Sequence, residues 1–77
     1  MTPKIQSTYE RIAELRDALE PVVAAELEAG RNARSVDGIQ TARTNVGALR
    51  VALSEVFYTV AAAENELAQR LTEMRSR

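Results

Sequence analysis

The chain has no cysteine and no histidine. A disulfide is excluded, and so is an ordinary zinc or iron site built on those ligands. Nucleophilic catalysis by a Ser-His or Cys-His pair goes with them. The lack of cysteine is compatible with a reducing compartment. Glycine is scarce, and Gly30, Gly38 and Gly47 form no phosphate-binding loop. Strand signals are missing, because the β-branched residues never alternate with polar ones over a useful length. Long apolar runs are missing too. The longest, such as Val22 to Ala25 and Val60 to Ala63, fall far short of the roughly 20 residues that cross a bilayer. The N-terminus carries no signal-peptide core. These absences lead us to expect a cytoplasmic protein with no membrane partner.

Seventy-seven residues make one small domain, 1–77. At that size a single core supplies only about 3–5 kcal/mol, and disulfides, metals or oligomerisation usually add to it. With the first two excluded, oligomerisation or very good helix packing remains. Net charge is −1, so the whole chain is no electrostatic match for nucleic acid. The charge is uneven, however. Residues 1–29 and 51–77 are net acidic, whereas 30–50 carry Arg31, Arg34, Arg43 and Arg50 against Asp37 alone. The preference for Arg over Lys, with abundant Ala, fits a GC-rich genome and points to a bacterial or phage source.

What is present is a heptad seam. Ile39, Ala42, Val46, Leu49, Leu53, Val56, Val60, Ala63 and Leu67 recur in alternating steps of three and four, with Leu71 and Met74 beyond. That spacing puts them on one face of a long helix. An earlier stripe runs through Ile5, Ile12, Leu15, Leu19, Val22, Val23 and Leu27. Thr2 suits an N-cap ahead of Pro3, and Pro21 is expected to kink this first helix. Gly30 reads as its C-cap, and Asp37 with Gln40 reads as the capping box of the second. The expectation is an all-α, coiled-coil-like antiparallel hairpin. Its helices cover about 3–29 and 38–75, joined by a loop over about 30–37. Centring that loop on Arg34 makes facing residue numbers add to about 68, which pairs Val22 with Val46 and Leu15 with Leu53. Every such pair is apolar on both sides.

Two hairpins pairing into a four-helix bundle, a homodimer, would cover what one hairpin leaves open. Gly47, Ser54, Ala61 and Ala68 recur every seven residues beside Phe57, and Leu67, Leu71 and Met74 project past the first helix. These eight are the candidate partner interface for self-association or for another protein. The plainer alternative is a solvated alanine-rich flank and a frayed end. Arg31, Arg34 and Arg43 are the candidate anion or nucleic-acid contact at the hairpin tip. No aromatic lies among them to stack a base, and pairing with Glu26, Glu28 and Asp37 is the competing reading.

Ile12 to Leu19, IAELRDAL, is similar to the first helix of all-helical chorismate mutases. The further Lys and Arg of that helix are missing here, and a third helix has no place in this length. No catalytic residue is carried across. Glu26, Glu64 and Glu66 read as a solvated flank and not as a carboxylate metal site. No enzyme activity, metal or cofactor is expected. The chain reads as a helical interaction module, with a small nucleic-acid-binding regulator as the alternative.

Overall fold

A computed structural model of the chain describes residues 1–76. It is all-α: helix α1 is Pro3–Asn32 and helix α2 is Val36–Arg75, with no strand among the described residues. The chain divides into two compact units, Met1–Val46 and Gly47–Arg77. The division falls inside α2 at Gly47, a weak helix former in mid-helix.

The first unit contains all of α1 and the start of α2. Thr2 is extended (φ −67°, ψ 156°), and its Oγ1 accepts the Ile5 N–H at 3.3 Å, ahead of Pro3 at the first helical position. This is the start that the sequence indicates, because proline has no N–H to lose there. α1 then runs unbroken through Pro21. The proline ring removes one helix bond to the Asp17 carbonyl without dividing the element.

The far end of α1 differs from expectation. Gly30 does not cap it. No glycine has positive φ, and the helix continues to Asn32. Ala33 is the extended residue that stops it, with its N–H donating to the Gly30 carbonyl at 3.4 Å. The Asn32 side chain occupies the last turn instead, donating to Glu28 Oε1 at 3.0 Å.

The cap of α2 also moves. Ser35 fills that role, its Oγ accepting the Gly38 N–H at 3.1 Å and its carbonyl accepting the Ile39 N–H at 3.3 Å. Asp37 lies in the first turn, where its charge favours the helix N-terminus without capping it. The loop thus shrinks from the expected eight residues, 30–37, to residues 33–35. Gly38 is needed in this tight turn, since a Cβ there would sit 2.9 Å from the Ala33 Cβ.

The two-helix hairpin closes at this tip. A Cβ on Gly30 would lie 3.3 Å from the Ala42 Cβ, so the backbone of α1 comes close to α2 there. One turn further, Asn45 Nδ2 donates to Glu26 Oε2 at 3.2 Å. These contacts join residues whose numbers add to 72 and 71, in place of about 68. The register is shifted by about one helical turn, and Val46 comes level with Glu26 where Val22 was expected. Gly30 against Ala42 lets the helices approach closely at this layer. Ala42 is the one buried residue among those described, 8% exposed.

The second unit is the continuous run of α2 from Gly47 onward. Its hydroxyls turn back on their own helix: Ser54 Oγ donates to the Arg50 carbonyl at 2.8 Å and Thr59 Oγ1 to the Glu55 carbonyl at 3.0 Å. Such bonds satisfy the hydroxyls locally and leave the helix surface less polar than its composition suggests. α2 is also long and apolar enough, by length and composition, to cross a membrane, with mean hydropathy 1.4 over its most apolar 18 residues. Uninterrupted runs understate this, because single charges such as Arg50 and Glu55 end a run but leave the window's average clearly apolar.

Candidate functional site

The eight residues of the candidate interface all lie in the second unit, on one continuous helix. A helix advances about 100° per residue, so Phe57, Leu67, Leu71 and Met74 share one side of it. They are 66%, 67%, 50% and 53% exposed. Gly47, Ser54 and Ala61 are half-buried and Ala68 is exposed, and these four run along the adjoining strip. A Cβ built on Gly47 meets nothing within 4 Å. Among the described residues nothing packs against Gly47 to account for a glycine in mid-helix.

Sequence reasoning missed how far the exposed surface extends. Val51, Leu53, Val56, Tyr58 and Val60 are exposed too, although Leu53, Val56 and Val60 belong to the seam expected to lie under α1. The rings of Phe57 and Tyr58 meet edge to face, 5.7 Å apart at 68°. That contact holds an aromatic pair at the surface of the helix. The hydropathy average over the window was the signal that could have found this, because it does not presuppose a covering partner.

The basic tip is arranged differently. Arg31 and Arg43 line one groove of about 370 Å³, together with Glu26, Leu27, Gly30, Ile39, Ala42 and Val46. Arg34 sits in the loop and is not among the lining residues, so the three arginines are not gathered into one site. Arg31 also approaches Glu28 at 4.0 Å. The groove floor is aliphatic and its rim carries Glu26 as well as arginine. The carboxylate there offsets part of the positive field of the two arginines. Among the described residues no three potential metal ligands cluster.

No family model, curated protein or solved structure matches the chain. Its chemistry must be argued from its own residues.

Proposed function

We propose that the chain is a non-enzymatic helical interaction module of the cytoplasm. It works by helix-against-helix contact through the apolar side of α2 between Gly47 and Met74. One observation carries this reading: Val56, Phe57, Val60, Leu67, Leu71 and Met74 lie on one side of one helix and are each at least half exposed. Together they form one exposed apolar stripe, and contiguous apolar patches larger than a few hundred Å² are uncommon on monomers. A patch of that kind is a binding surface or a liability.

Arg50 and Glu55 weigh against a lipid partner, because a charged residue at mid-membrane costs about 2.5–3.5 kcal/mol. A helix groove can leave Glu55 at its rim, where it stays hydrated, and can offer Arg50 a carboxylate. The groove between Glu26 and Arg43 favours a nucleic acid less, for its acidic rim and its lack of aromatics.

A photo-crosslinking amino acid at Leu67, read out in the native host, tests the proposal. The control is the same group at Gln69, about 200° round the helix. Adducts to protein from position 67 and none from 69 are expected. Adducts to lipid alone, or equal labelling at the two positions, would overturn the reading.

A further inference from the structure

Two columns of residues run side by side along the Gly47–Met74 stretch of α2. One holds Arg50, Phe57, Glu64 and Leu71, and the other Gly47, Ser54, Ala61 and Ala68. They alternate in steps of three and four, so they form a second seam beside the first. The first column is large and exposed throughout, with Phe57 at 66%. The second is small, and its one hydroxyl, on Ser54, is already bonded to the Arg50 carbonyl. Neither Arg50 nor Glu64 has an ion pair among the described residues.

We propose that the occupant of this seam is a second copy of the chain, its α2 lying antiparallel about a two-fold axis near residue 59. The inference rests on the interaction reading above and names its partner. Size is the first reason. An antiparallel pair sets one column against the other, so Phe57 of each copy meets Ala61 of the other, and Leu71 meets Gly47. Large side chains then fill the spaces left by small ones, as close packing requires. A parallel pair sets each column against itself, with Phe57 on Phe57 and the small residues facing one another across voids.

Charge is the second reason. A parallel pair stacks Arg50 on Arg50 and Glu64 on Glu64. The antiparallel pair brings Arg50 of each copy within one turn of Glu64 of the other, twice by symmetry. A foreign helix would meet the same apolar surface, but nothing in the two columns selects it over the chain's own complementary pattern.

Light scattering on the full chain at tens of micromolar should give twice the chain mass. Phe57→Glu should weaken the dimer at least about tenfold. Its helicity by circular dichroism should hold, since the residue is exposed. Arg50→Glu and Glu64→Arg should each weaken it about two- to fivefold, and the double swap should restore it. Because the chain has no cysteine, introduced ones report cleanly. A mixture of Gly47→Cys and Leu71→Cys chains should form a mixed disulfide dimer that neither forms alone. A disulfide dimer of Gly47→Cys alone would overturn the antiparallel pairing. A monomer at every concentration would overturn self-association, and the crosslinks at Leu67 would then decide separately whether a foreign helix binds.

Discussion

The two parts of α2 are made of similar residues and end up in different circumstances. From Val36 to Val46 the helix is held at the tip, with Ala42 buried and Asn45 bonded to Glu26. From Gly47 onward it is the more apolar, yet nearly every large apolar side chain stays exposed. Val36 and Ile39 of the first part are exposed as well, so the two parts differ at the small Ala42 layer and not in how their large side chains are covered. What closes the tip is close approach, made possible by a glycine opposite an alanine. Gly30 and Gly47 show the contrast in one residue type. A Cβ on the first would press on Ala42, and a Cβ on the second would meet nothing.

Substitutions can break that contrast, and the largest effect is expected at Gly30. Gly30→Leu should destabilise the tip by about 1–3 kcal/mol through overpacking, more than the roughly 1 kcal/mol that leucine gains in helix propensity. Urea unfolding followed by circular dichroism reads it, and an unchanged midpoint would mean that the helices do not meet there. Ser35→Ala should cost about 1 kcal/mol by removing the cap of α2, whereas Asp37→Ala should cost less. Equal losses from the two would restore Asp37 as the cap.

Gly47→Ala should act in the opposite direction. In dilute protein it should stabilise the helix by about 0.5–1 kcal/mol, because Ala is the better helix former and its methyl finds open space. A loss would show that something already packs there. The smallest change is expected from Glu26→Ala. It removes one hydrogen bond at the surface of the tip and should cost about 0.5 kcal/mol, with amide exchange slowed less around Asn45 than in the parent.

Much of the fold was legible in the residues. The Thr2-Pro3 start, the continuity of each helix and the turn between them follow from capping chemistry and a 3.6-residue period. The end of α1 was harder to read, because Gly30 has two physical uses. As a cap it would supply positive φ, and as a helix residue it supplies thinness. Sequence alone does not tell these apart, and the structure uses the second. The choice of Ser35 over Asp37 turned on one residue of phase. The register at the tip was not legible, since a rule based on loop midpoint takes no account of side-chain size or reach. The spacing of the candidate interface residues placed them along one helix. The breadth of the exposed surface was not legible, because the seam was assumed to be filled from within.

The bond from Asn45 to Glu26 also has a kinetic meaning. It spans 19 residues, whereas every other side-chain hydrogen bond described spans four or fewer. Contacts this local put little loop-closure entropy in the path of folding, and such chains fold in microseconds to milliseconds. Helix growth itself relaxes in about 0.1–1 μs. The meeting of Glu26 and Asn45 is then the late event, and a temperature jump should resolve it as a second, slower phase that Gly30→Leu removes.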